Sequence, residues 1–131
     1  MKLLLTFTAI LEGLTGLALV ATPSLVIWVL TGTSLDGAAA MTLARITGSA
    51  LLSLAIACLL SVNNAGGPGM TKAVLIYNMA TAVVLLYGAV GYKLSGIGLW
   101  PAAFLHTGLA VWCFASLSQH KKTTNSIFPK K

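Results

Sequence analysis

Acidic side chains are almost absent from this sequence. Glu12 and Asp36 are the only two among 131 residues, and charged residues of both signs make up 8% of the chain. Soluble proteins have about 25% charged residues. Hydrophobic residues make up 57% here. A water-soluble domain cannot cover its surface with so few charges, so the composition excludes that class and predicts an integral membrane protein.

Negative charge is scarce enough to leave a net charge of +6, but the basic residues form no stripe on a folded face. Half of them lie in the last eleven residues, at Lys121, Lys122, Lys130 and Lys131. This pattern predicts a basic tail that contacts anionic lipids, with the lipid bilayer as the main partner, and it argues against nucleic-acid binding.

Catalytic and metal-binding motifs are missing as well. The sequence contains no glycine-rich phosphate loop, no nucleophile elbow and no pair of carboxylates, so we expect a protein that is not an enzyme. Cys58 and Cys113 fall in apolar stretches and are expected to be buried thiols. His106 is the only histidine in an apolar stretch, which is too few for a metal or haem site. We expect no cofactor, with a quinone left open.

Four apolar stretches are long enough to cross a hydrocarbon core of about 30 Å, which takes about 20 helical residues. They cover about residues 3–22, 38–62, 71–92 and 100–118, and a basic tail follows over 119–131. The first resembles a signal peptide, but Glu12 interrupts it, so we expect a retained helix. The segment PSLVIWVLTGTS is too short to cross and predicts a helix at the membrane surface. The predicted fold is all-α: a polytopic integral membrane four-helix bundle with a short interfacial helix between helices 1 and 2.

The basic residues outside the spans predict the orientation. Lys2, Lys72 and the tail lysines fall on one side of a four-span topology, and only Lys93 falls on the other. Basic residues in short flanks favour the cytoplasmic side. We therefore expect a multi-pass protein of a bacterial inner membrane with both termini in the cytoplasm.

Four residues within the spans form the candidate polar cluster: Glu12, Arg45, Asn78 and His106. A charged group in a span costs about 2.5–3.5 kcal/mol on insertion scales, so each needs a partner. Helical rise brings Glu12 and Arg45 to within about 6 Å in height. We expect them to form a buried ion pair. The alternative is that Arg45 extends to the outer headgroups and Glu12 is protonated.

Small residues predict the helix-packing faces. Arg45, Ser49 and Ser53 form a row at helical spacing, with Gly48 beside it, and Gly13 and Gly16 lie on the first span. Small residues let helix backbones approach closely in lipid. We therefore expect Gly13, Gly16, Gly48, Ser49 and Ser53 to pack helices together.

Two family resemblances follow from this layout. The four spans, with ARITGSALLSLAIACLL in the second and GLWPAAFLHTGLAVWC opening the fourth, look like the small bacterial membrane proteins grouped around the DoxX-like families. That resemblance implies contact with a quinone. Glu12 in the first of four spans also resembles the proton-binding glutamate of small multidrug resistance transporters. Arg45, the charged thirteen-residue tail and the strong orientation bias depart from that second pattern.

Three functions remain open from the sequence. The favoured one is a non-enzymatic accessory, assembly or self-associating subunit, as a homo-oligomer or within a larger membrane complex. The second is a proton-coupled small transporter that uses Glu12. The third is a redox partner that contacts quinone or lipid through Arg45 and His106.

Overall fold

Helices are the only regular secondary structure in the part that the computed structural model describes, residues 1–64 and 67–127. The helices are α1 (Lys2–Ala21), α2 (Pro23–Thr31), α3 (Ala38–Ser61), α4 (Gly67–Gly91) and α5 (Leu99–Ile127). All except α2 are long and apolar enough to cross a membrane, with Leu99–Lys121 as the apolar part of α5. The predicted all-α fold with four candidate membrane spans is confirmed to that extent.

Two helix boundaries differ from the prediction. Helix α4 begins at Gly67 instead of residue 71, because Pro68 fits the first turn of a helix, where its missing N–H is not needed. Helix α5 continues to Ile127, so the predicted tail begins as an extension of the last span. The predicted contacts of Lys130 and Lys131 lie outside the described residues.

The short helix predicted between the first two spans is present as α2. Pro23 occupies its first turn, and Gly32 ends it with a φ of +75°, a conformation that glycine adopts without strain. The connection between α4 and α5 holds the end of this helix: the Ser95 N–H donates to the Thr31 carbonyl at 3.2 Å, and the Gly98 N–H donates to the Val29 carbonyl at 2.8 Å. Helix α2 is therefore tied to the rest of the bundle by backbone hydrogen bonds.

The long helices pack in two pairs, α1 with α3 and α4 with α5. The first pair crosses at Gly16 and Gly48, where a Cβ on either glycine would lie 2.7 Å from the carbonyl oxygen of the other. Gly13 is less constrained, because its Cβ would meet that of Ala55 at an ordinary 3.6 Å. The predicted packing roles of Gly16 and Gly48 agree with this geometry.

Ser49 and Ser53 do not pack against another helix of this chain, although the sequence predicted packing roles for them. Both are exposed on α3, and their hydroxyls donate to carbonyls of their own helix, those of Arg45 and Ser49, each at 3.0 Å. A serine whose hydroxyl is bonded to the preceding turn has no need of a partner on another helix.

The two ends of the bundle are packed differently. At the terminal end, which holds Lys2, the α3–α4 connection and His120, the Lys2 ammonium donates to Asn63 at 3.0 Å. A core cluster with side chains from all four long helices fills the adjoining half of the bundle: Leu4, Leu5, Ala9, Cys58, Val74, Leu109 and Cys113. At the opposite end, called here the α2 end, a second buried cluster keeps α1 and α3 in contact at Leu19, Ala44 and Leu51. A cavity lies beside this cluster and is lined in part by α2.

Candidate functional site: a polar cluster in an apolar cavity

Glu12 is the most deeply buried ionisable group in the cluster, with 2% of its surface exposed. Its Oε2 accepts a hydrogen bond of 2.9 Å from the Tyr77 hydroxyl. Its Oε1 is buried and has no hydrogen-bond partner. Thr8 Oγ1, one turn earlier on α1, is also buried without a partner. Because buried polar atoms are nearly always paired, the free Oε1 requires an explanation.

Asn78 and His106 form a second polar pair beside Glu12. The Asn78 side-chain amide donates from Nδ2 to the Val74 carbonyl at 2.8 Å, so its Oδ1 is the acceptor in the 2.7 Å bond to His106 Nδ1. This bond therefore requires His106 Nδ1 to carry the hydrogen. The His106 ring packs edge-on against Tyr77, with 5.8 Å between ring centroids. Tyr77 thus contacts both Glu12 and His106.

Arg45 does not join this cluster, contrary to the predicted ion pair with Glu12. Its side chain is exposed, and its Nε donates to the Val20 carbonyl at 3.3 Å. Val20 is eight residues beyond Glu12 on α1, which corresponds to about 12 Å of helix. Arg45 therefore extends away from the carboxyl, as in the alternative in which it reaches toward the outer headgroups.

A cavity of about 730 Å³ lies at the α2 end of the bundle. Most of its lining is apolar, and five of the nine residues of α2 contribute to it: Leu25, Val26, Ile27, Val29 and Leu30. The polar residues of the lining are Glu12, Thr15, Thr47, Tyr77, Thr81 and His106. Cavities of this size, apolar with a few polar groups, are typical sites for small molecules.

Tyr77 is absent from the polar cluster predicted from the sequence. It lies near the middle of α4, directly before Asn78, and that central position was the signal available from the sequence. A tyrosine in the middle of an apolar helix needs a hydrogen-bond partner within the protein for its hydroxyl, whereas a tyrosine at a membrane interface can bond to water. Here that partner is Glu12.

Metal binding has no support in this arrangement. Among the residues that the structure describes, no three histidine, cysteine or acidic side chains come together as a possible metal site. Cys58 and Cys113 are both buried free thiols. What the site offers is hydrogen bonding at one wall of an apolar cavity, which suits a molecule with a polar end and an apolar body.

Comparison with protein-family models, curated proteins and solved structures finds no match to this chain. The resemblances to DoxX-like proteins and to small multidrug resistance transporters therefore stay predictions.

Proposed function

We propose that this protein is a multi-pass membrane protein that binds an amphiphilic molecule in the cavity at the α2 end. The observation that carries the proposal concerns Glu12, which belongs to the lining of an apolar cavity of about 730 Å³ and has one buried carboxyl oxygen, Oε1, without a hydrogen-bond partner. An unpaired polar atom in such a wall is stabilised when a ligand supplies its hydrogen bond. The proposed role is binding, without a chemical step.

The proposal narrows the functions predicted from the sequence. A quinone or a lipid combines a polar end with an apolar body. The third function predicted from the sequence, contact with quinone or lipid, therefore names the class of ligand that fits this cavity. The proposed site uses Glu12 and His106, and it leaves out Arg45 because that side chain bonds to Val20 instead. Service as an accessory subunit and self-association into an oligomer remain compatible with ligand binding and stay predictions.

The binding test uses a neutral lipophilic fluorophore and the purified protein in lipid nanodiscs. Ala102 lines the cavity, so Ala102→Phe is expected to fill part of it and to weaken probe binding by about tenfold or more, equivalent to about 1.4 kcal/mol. Ala115, an exposed residue of the same helix outside the cavity, provides the matched control Ala115→Phe. Equal probe binding by both variants would contradict the proposal.

Proton-coupled transport is a second candidate, favoured by the position of Glu12 in the cavity wall. The core cluster closes the terminal half of the bundle, so transport requires another conformation that opens it. If this candidate is right, Glu12→Gln abolishes proton-driven flux of a bound substrate in liposomes while the protein stays folded. Unchanged flux would exclude it.

The proposed orientation has both termini and the α3–α4 connection in the cytoplasm of a bacterium, with α2 at the outer surface. It rests on the distribution of the lysines. We expect an impermeant thiol reagent to label Ser34→Cys in intact cells and Asn64→Cys only after lysis. Both positions are exposed, and the native cysteines are buried. The reverse labelling pattern would show the opposite orientation.

A further inference from the structure

The polar wall of the cavity has a direction of hydrogen bonding that selects the polar end of the ligand. We propose that the ligand ends in an uncharged hydroxyl group that accepts a hydrogen bond from Glu12 and donates one to His106. This inference rests on the proposed function, because it names the chemistry of the molecule that the cavity binds. The inference concerns Glu12 and His106, two residues of the cavity lining that each have a hydrogen-bonding atom without a partner among the described residues.

On one side of the wall, Tyr77 defines which oxygen of Glu12 is available. The Tyr77 hydroxyl donates to Oε2, so that oxygen is occupied. Oε1 is the free position, in a residue that is almost completely buried and that lines the cavity. No cationic side chain among the described residues bonds to this carboxyl, since Arg45 donates to Val20. An isolated charge in an apolar cavity is expensive, so the proposed network is uncharged and Oε1 carries a hydrogen.

On the other side of the wall, Asn78 defines which nitrogen of His106 is available. Asn78 Nδ2 donates to the Val74 carbonyl, and its Oδ1 accepts from His106 Nδ1. In a neutral imidazole, a hydrogen on Nδ1 leaves Nε2 as a hydrogen-bond acceptor. His106 lines the same cavity as Glu12, and both contact Tyr77.

A hydroxyl is the simplest group that completes this network, because it both accepts and donates a hydrogen bond. Its oxygen would accept from Glu12 Oε1, and its hydrogen would go to His106 Nε2. The donors then run in one direction, from Tyr77 through Glu12, the ligand, His106 and Asn78 to the Val74 carbonyl. An ether cannot donate to His106, and an ammonium cannot accept from Glu12.

The test compares three ligands with the same alkyl chain: a primary alcohol, its methyl ether and the primary ammonium. Each competes with the neutral fluorophore for the protein in nanodiscs of uncharged lipid. We expect the alcohol to bind about tenfold more tightly than the ether, which is the effect of one typical net hydrogen bond. We also expect the alcohol to bind more tightly than the ammonium. This comparison uses the wild-type protein and does not depend on the folding of any variant.

Three variants locate the effect. His106→Phe is expected to abolish the preference for alcohol over ether. Glu12→Leu is expected to weaken alcohol binding by about tenfold, whereas Glu12→Gln weakens it by only about threefold, because the glutamine amide can accept from Tyr77 and still donate to the ligand. Arg45→Gln is the control and leaves the affinities unchanged, since Arg45 does not line the cavity. Thermal unfolding of each variant confirms that it is folded.

Equal binding of alcohol and ether would overturn the inference and leave the proposed function intact. Tighter binding of the ammonium, lost in Glu12→Gln, would overturn it in favour of a carboxylate that recognises positive charge. Failure of the fluorophore itself to bind would overturn the proposed function, and the inference with it.

Discussion

At the scale of single residues, the buried carboxyl of Glu12 depends on one hydroxyl for its hydrogen bonding. Tyr77 supplies that hydroxyl from α4, across the boundary between the two helix pairs. Its ring also supports His106 on α5. Tyr77 therefore connects polar groups on three helices, and its hydroxyl and its ring have separate effects that a conservative substitution can distinguish.

Tyr77→Phe is expected to lower the free energy of unfolding by about 1–3 kcal/mol, because it leaves both oxygens of a buried carboxyl without partners while keeping the ring. Thermal or denaturant unfolding in detergent, followed by circular dichroism, measures the change. Tyr87→Phe is the control, since Tyr87 is exposed on the same helix. A loss no larger than that of the control would show that the hydroxyl is dispensable.

The separation of Arg45 from Glu12 predicts additive mutational effects. The sequence suggested a pair, for which neutralising both residues together is milder than neutralising either alone. Because Arg45 bonds to Val20 instead, we expect the destabilisation by Glu12→Gln and by Arg45→Gln to sum in the double variant within about 0.5 kcal/mol. The three unfolding free energies test this, and a double variant more stable than the sum would restore the ion pair.

At the scale of secondary-structure elements, the close crossing of α1 and α3 decides which face of α3 is buried. The buried face carries Ala44, Gly48, Leu51, Ala55 and Cys58. Arg45, Ser49 and Ser53 follow these positions by one or two residues and lie on an exposed face. The small residues of the buried face allow the close approach of α1, and the hydroxyls of Ser49 and Ser53 are satisfied by carbonyls of α3 itself.

Gly16→Ala tests this crossing, with Gly13→Ala as its matched control on the same helix. The added methyl group at Gly16 would lie 2.7 Å from the Gly48 carbonyl oxygen, so α1 and α3 must separate. We expect a destabilisation of about 1–3 kcal/mol. At Gly13 the methyl group fits, and the better helix propensity of alanine should leave stability equal or slightly higher. Similar losses at both sites would show that the crossing is not tight.

Helix α2 shows how a short element gains a fixed position without much burial. Pro23 is its only buried residue, yet hydrogen bonds from Ser95 and Gly98 hold its end to the α4–α5 connection. Gly96 lies between those two residues, and a Cβ there would overlap the Leu30 backbone. The contact requires glycine because backbone meets backbone. The apolar residues of α2 are thereby held over the cavity.

At the scale of the whole molecule, one half of the bundle is packed and the other is open. The core cluster fills the terminal half with side chains from every long helix, and the cavity occupies the α2 end. Leucines of the core cluster are therefore expected to contribute more to stability than the exposed leucines of the cavity wall.

This division predicts unequal effects of leucine truncation. Leu5→Ala, in the core cluster, is expected to destabilise the protein by about 2 kcal/mol or more, because it leaves a hole among side chains that cannot collapse. Leu25→Ala, in the cavity wall, removes a side chain that is already 58% exposed and should change stability little. Unfolding measurements on both variants, with probe binding as a second readout, check the prediction. Equal destabilisation would contradict the division.

The four long apolar helices, the short helix after the first of them and the membership of Glu12, Asn78 and His106 in one cluster could all be predicted from the sequence. These follow from local causes: the length of apolar stretches, proline and glycine at helix ends, and the high cost of isolated polar groups in a membrane. Such causes act within one helix and can be recognised along the chain.

The partners of these residues depend on how the helices pack, which the sequence does not specify. Helical rise predicted that Glu12 and Arg45 lie within about 6 Å in height, but the crossing at Gly16 and Gly48 puts Arg45 level with Val20, about 12 Å from Glu12 along α1. Height along the chain also does not specify which face of a helix meets its neighbour. The contact between Gly16 and Gly48 set the rotation of α3, and that rotation turned Arg45 outward. Because Arg45 is turned outward, the hydrogen bond to the carboxyl of Glu12 comes from the Tyr77 hydroxyl instead.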